Sequence, residues 1–139
     1  MSHPRSIARA AVRAALEGSG DLTGVTVFRS WQQAMSSDAL PAIGVITPRE
    51  TSDGLTGDEM SRTMTLVVAY RDEGGDDLED SLDDVSAVIE PLVLNVLSGS
   101  ELYGLDSTDI EISGEGERPT GLLTLTFSAT RYAPEGLPA

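Results

Sequence analysis

Between Asp76 and Leu97 the apolar residues Leu78, Leu82, Val85, Ile89, Leu92, Val93 and Val96 recur in steps of three and four. That period aligns them along one side of an α-helix, and a helix with a single apolar stripe has to be covered by another layer. The rest of the chain must supply that layer. Asp76 is placed to cap the first turn, with Glu79 reaching back to it, and Asp77 and Asp80 add negative charge where the helix dipole favours it. Ser98-Gly99 offers a turn just past the last apolar residue. A helix from Asp76 to Leu97 is roughly 33 Å long. Within it, Pro91 has no amide hydrogen and its ring crowds the carbonyl of Ala87, which predicts one helix kinked near Ile89 and Glu90.

The flanking segments read as strands with one further helix. Ser2-His3-Pro4 gives a cap and an early proline ahead of Ile7, Ala11, Ala14 and Ala15, and Gly18-Ser19-Gly20 stops the pattern. A first helix with an alanine-rich apolar face is expected over 4–17. Val25 to Phe28 alternates as a short strand, and residues 30–41 read as a loop holding the one tryptophan, Trp31. Ala42 to Thr47 is nearly all apolar and β-prone, which suits a strand at or near the sheet centre, covered on both faces and ended by Pro48. Residues 48–59, with Glu50, Asp53, Asp58 and Glu59, have no period and read as a mobile acidic loop.

Met60 to Tyr70 and Gly121 to Tyr132 alternate cleanly. Met60, Met64, Leu66, Val68 and Tyr70 in the first, and Leu123, Leu125, Phe127 and Ala129 in the second, form apolar faces backed largely by threonine. Arg62 interrupts the apolar face near its open end. Leu102, Tyr103 and Leu105 read as a short segment closing over the helix end, Asp109 to Ser113 as a half-exposed strand, Gly114 to Glu117 as a hairpin turn, and 133–139 as a loose tail. The expected fold is one α+β domain spanning 1–139 with its core in 4–132. It has a largely antiparallel sheet of about five strands and two helices on one face, in the order α-β-β-β-α-β-β. The other face is expected to be rich in threonine, serine and acid.

Charge narrows the function. Twenty-three acidic residues face nine basic ones, all arginine, for a net charge of −14. Such a chain does not bind nucleic acid broadly through its phosphates. Arg5, Arg9 and Arg13 recur every four residues and concentrate positive charge on one helix face. That stripe is either a solvated face or a docking strip for an acidic partner, another copy of this chain included. Trp31 is either a lid over the edge of the core or an interface anchor.

Signals for chemistry are missing. Without cysteine there is no disulfide or thiolate site, and the single histidine, His3, lies at the N-terminus, away from any serine it could activate. There is no lysine for a phosphate loop, and the glycines lack dinucleotide-binding spacing. Asp76, Asp77, Asp80, Asp83 and Asp84 lack the ligand spacing of a calcium loop and read as a cap and a solvated face. No apolar run approaches the roughly 18 residues of a membrane span, and no apolar signal region opens the chain. The expectation is a non-enzymatic protein without cofactor or metal, made in the cytoplasm.

Several of these features together resemble a known family. They are the opening Arg/Ala-rich helix, Leu40-Pro41-Ala42-Ile43 starting a strand, and Asp58-Glu59 ahead of Arg62-Thr63-Met64-Thr65-Leu66-Val67-Val68. The acidic helix from Asp76 to Ile89, Asp109-Ile110-Glu111-Ile112, and Gly121-Leu122-Leu123-Thr124-Leu125-Thr126-Phe127 complete the pattern. Over about residues 4–132 the chain resembles the tail terminator (tail completion) proteins of long-tailed bacteriophages and phage-derived gene transfer agents, relatives of lambda minor tail protein U. The resemblance implies a homohexameric ring at the head-proximal end of the tail, made in the bacterial host cytoplasm. Such a ring caps the tube, stops its polymerisation and joins tail to head. Its partners would be itself, the tail tube protein and the head-tail connector proteins, with DNA passing through and no membrane involved. Arg5, Arg9, Arg13 and Trp31 are then expected at subunit or partner interfaces, and Glu50, Asp53, Asp58, Glu59, Asp109 and Glu111 at the lumen or a partner. The rival readings are a head-tail adaptor of the same particle and a small acidic enzyme or ligand-binding domain of α+β type, which needs a concave apolar pocket.

Overall fold

A computed structural model of the chain describes residues 3–54, 59–114 and 118–134. The elements are α1 (Pro4–Glu17), a 3-10 turn (Gly20–Leu22), β1 (Thr26–Val27), α2 (Trp31–Ser36), β2 (Ala42–Gly54), β3 (Glu59–Glu73), α3 (Leu78–Leu97), β4 (Leu102–Ser113) and β5 (Thr120–Pro134). The five strands form one sheet in the order β1-β2-β3-β5-β4. Only β1 and β2 pair in parallel, so the class is α+β with a mixed, mostly antiparallel sheet. Because β5 lies between β3 and β4, α3 is the crossover of a split βαβ unit.

The core lies between the sheet and the layer formed by α1 and α3. Met64, Leu66, Val68 and Tyr70 of β3 and Leu123, Leu125, Phe127 and Ala129 of β5 are buried on one sheet face, as their alternation requires. They meet Leu78, Leu82, Ile89, Val93 and Leu97 of α3 and Val12 and Leu16 of α1. The Tyr70 hydroxyl donates to the Asp72 carboxylate at 3.0 Å. Burial first, and then the Asp72 charge and this hydrogen bond, raise the pKa of Tyr70 above its ordinary value.

α3 is a single helix that continues through Pro91, as expected. Pro91 and Ala87 are both exposed, so water can satisfy the carbonyl that loses its partner. Several expectations need correction. The N-cap position of α3 is Asp77, not Asp76, and no side chain caps it. The buried side of α1 is Val12 and Leu16, whereas Ile7 is 57% exposed and Ala11 and Ala14 are exposed. Alanine fits either side of a helix, so an alanine pattern did not single out the buried one.

Residues 48–54 are not a loop. β2 continues past Pro48 with a register shift between Ile46 and Arg49, and then pairs through Gly54 with Met60. A bulge is where a strand tolerates proline, because no ladder bond is asked of its missing N–H. Residues 55–58 lie outside the described residues. Leu102 to Ser113 is one strand, shifted in register between Leu105 and Ser107, rather than a closing segment followed by a short strand. Ala133 and Pro134 belong to β5, paired with Met60 and Glu59, and the remainder of the expected tail is outside the described residues, as are 115–117 of the expected turn.

The largest departure is α2, in a stretch that reads as a loop. It packs on the sheet face opposite α1 and α3, over Gly44, where an added Cβ would lie 2.7 Å from the Ala34 Cβ and 3.2 Å from the Trp31 ring. The Arg71 guanidinium donates to the carbonyls of Ala34 (2.8 Å) and Ser37 (3.1 Å), holding the C-terminal end of the helix to β3. Helices therefore cover both faces of β2 near Gly44, while the rest of the second face stays open.

Candidate interaction surface

Arginine gathers around α1. His3 occupies its N-cap, with Nδ1 accepting from the Arg5 amide at 3.1 Å, and Pro4 starts the first turn. Partial desolvation, then the charge of Arg5 with Arg131 and Arg62 behind it, lower the pKa of His3 below 6.5 against the opposing pull of Glu50. From this start Arg5, Arg9 and Arg13 follow one another along the helix flank that faces β2 and β1. Arg5 and Arg9 are held by partners within the subunit. Arg5 reaches Glu50 of β2 at 3.5 Å, and Arg9 donates to the Thr47 hydroxyl and, at 3.1 Å, to Ser6.

Glu50, expected on an acidic loop, turns instead into this basic cluster. In the β2–β3 register it lies opposite Met64, on the core side, where Arg62 and Arg131 follow the Met64–Ala129 pair on the same face. Its side chain is 6% exposed and approaches Arg131 at 2.6 Å, Arg5 at 3.5 Å and Arg62 at 3.8 Å. One carboxylate thus serves three guanidiniums. Among the described residues, buried Nε of Arg62 and Nε and Nη2 of Arg131 find no aligned hydrogen-bond partner, so the Arg131 contact is an ion pair without hydrogen-bond geometry. Beside the cluster, an open cleft of about 310 Å³ runs between Pro4, Ile7, Ala8 and Ala11 of α1 and Val96 and Leu97 of α3, with Arg131 at its polar margin.

On the other side of Ile7 lies a second cleft, of about 440 Å³, lined by Ser6, Arg9, Ala10, Arg13 and Arg29. Sequence reasoning missed Arg29, because it follows β1 and joins the α1 arginines only through the fold. Desolvation, and then the charges of Arg9 and Arg29, lower the pKa of Arg13 from its ordinary value, with Glu17 opposing. Among the described residues no carboxylate comes within ion-pair distance of Arg9, Arg13 or Arg29.

The acidic candidates do not converge. Asp109 and Glu111 pair with Thr124 and Leu122 on the open sheet face and are exposed on the edge strand β4. Asp53 also points to the open face, opposite Ser61, which in turn pairs with Tyr132. Along β5 the two groups are eight residues apart, roughly 26 Å at about 3.3 Å per residue. Glu59 opens β3 opposite Pro134, and Asp58 lies outside the described residues. The exposed acids of α3, Glu79, Asp80, Asp83 and Asp84, make no ion pair among the described residues. Trp31 is half-buried, with its ring over Gly44. No family model matches this chain, and no curated protein matches it significantly.

Proposed function

We propose that this protein is a structural subunit of a phage or phage-like tail, a terminator that forms a ring on the end of the tail tube, stops its polymerisation and joins it to the head. The observation that carries the reading is the distribution of charge across the subunit. α1 packs over β1 and β2 with its arginines, whereas α3 and β4 carry exposed acids over the opposite flank of the sheet. A subunit basic on one flank and acidic on the other is suited to head-to-tail contacts, the heterologous kind that close into a ring. Six copies follow from the family resemblance.

The open face supplies the second element. Thr63, Thr65, Thr124, Thr126, Ser128 and Thr130 give it a hydroxyl surface, and Asp109 and Glu111 give it negative charge at the β4 edge. Turned toward the lumen, such a face holds phosphate weakly, so DNA slides past without a brake. Deleting the gene tests the proposal. Particles are then expected with tails of uncontrolled length or with unjoined heads and tails, and normal, infective or transducing particles would overturn it. Tails of normal length that fail only to join heads would move the protein to the neighbouring adaptor position.

A further inference from the structure

Five of the nine arginines are neutralised or put to use within the subunit, and Arg49 stands exposed on β2. Arg5, Arg62 and Arg131 share Glu50, Arg71 clamps α2, and Arg118 pairs with Glu73. The cleft between Arg9, Arg13 and Arg29 departs from this. Three guanidiniums meet around about 440 Å³ of open space, and no carboxylate among the described residues reaches them. Like charges held together and partly desolvated favour the arrival of an anion. The separation of Arg9 and Arg13 by one helical turn, about 6 Å, sets the spacing that this anion has to match.

Among the described residues, one helical surface has the matching charge and spacing. Glu79 and Asp83, and likewise Asp80 and Asp84, repeat at the same interval on the exposed side of α3 and lack ion-pair partners among the described residues. They cannot reach the cleft of their own subunit, because α3 begins over Gly121 of β5 while the arginines face β1 and β2. We infer that the Arg9–Arg13–Arg29 cleft receives the acidic first half of α3 from a second copy of this chain. The inference rests on the ring reading and specifies which two surfaces of the ring meet.

Charge exchange tests it. One variant carries Arg13→Glu and Arg29→Glu, which leaves the Arg9–Thr47 hydrogen bond in place, and the other carries Asp80→Arg and Asp84→Arg. Sedimentation up to millimolar concentration at low salt is expected to show self-association of the native chain, weakened at least tenfold in either variant. Mixing the two variants restores association, because in an alternating arrangement every contact again joins opposite charges. Unaltered self-association in both variants, a mixture no better than its parts, or a native chain monomeric up to millimolar concentration each overturns the inference. So does DNA binding at this cleft without self-association. Arg13→Gln and Asp84→Asn serve as milder variants if reversal disturbs folding. Gene deletion keeps the two ideas separate: normal particles with a working charge exchange reject the tail role and retain the interface. Defective particles with a failed exchange do the reverse.

Discussion

Glu50 holds together the end of the core where the apolar pairs of β3 and β5 give way to Arg62 and Arg131. Its substitution by glutamine keeps the shape and removes the carboxylate that the three guanidiniums share. Unfolding in urea is expected to show a loss of about 2–3 kcal/mol, below the range for fully buried pairs because Arg5 is 37% exposed. Unchanged stability would mean that the arginines are already well solvated. His3 gives a second prediction at this scale. Its Nδ1 can accept from Arg5 only while unprotonated, and its folded pKa lies below the unfolded 6.5. The unfolded chain therefore takes up the proton first as pH falls. The contribution to stability is fully present above pH 6.5 and is lost on acidification through the folded value. His3→Asn preserves a capping acceptor that does not titrate, so this component of the pH dependence should vanish, and an NMR titration of His3 in the native chain should give a midpoint below 6.5.

At the scale of elements, two glycines set how closely helices approach the sheet, one on each face. At Gly121 an added Cβ would meet the movable ends of Leu82 and Leu78, whereas at Gly44 it meets the Ala34 Cβ, which has nowhere to rotate. Gly44→Ala is therefore expected to cost about 1–3 kcal/mol and to shift Trp31 fluorescence as α2 lifts, with part of the loss recovered by Ala34→Gly. If the fluorescence stays native, α2 does not depend on that contact. The same glycine was the available signal for α2, since glycine inside a run of buried β-formers marks a close approach from outside the strand. By itself Trp31 to Ser36 is too short to display a period, and only Ala34 within it is buried. α3, β3 and β5 were legible because long amphipathic patterns repeat their message several times over. β2 beyond Pro48 and β4 before Asp109 were not, because each crosses a bulge that reverses the alternation. The arginine stripe was visible at its helical spacing. Its partners Glu50, Thr47 and Arg29 come from distant segments and meet it only through tertiary folding.

For the whole molecule, the consequence of the proposed ring is that flank and open face do different work, so their acids can be told apart by substitution. Asp109 and Glu111 lie on the open face of β4, away from the exposed acids of α3 that would meet the neighbouring arginines. Asp109→Lys with Glu111→Lys adds four units of positive charge per subunit, and in a ring those charges recur in every copy around the path of the DNA. Each new phosphate contact releases counterions and strengthens binding in low salt, which slows sliding. Particles bearing this pair are expected to have tails of normal length and joined heads, yet to deliver DNA at least tenfold less efficiently, with recovery as salt rises. Asp80→Lys with Asp84→Lys adds the same charge to the α3 face and is expected to act earlier, through loss of assembly. Normal delivery from the first pair, measured on particles counted by electron microscopy, would remove β4 from the lumen and turn a different face toward the DNA.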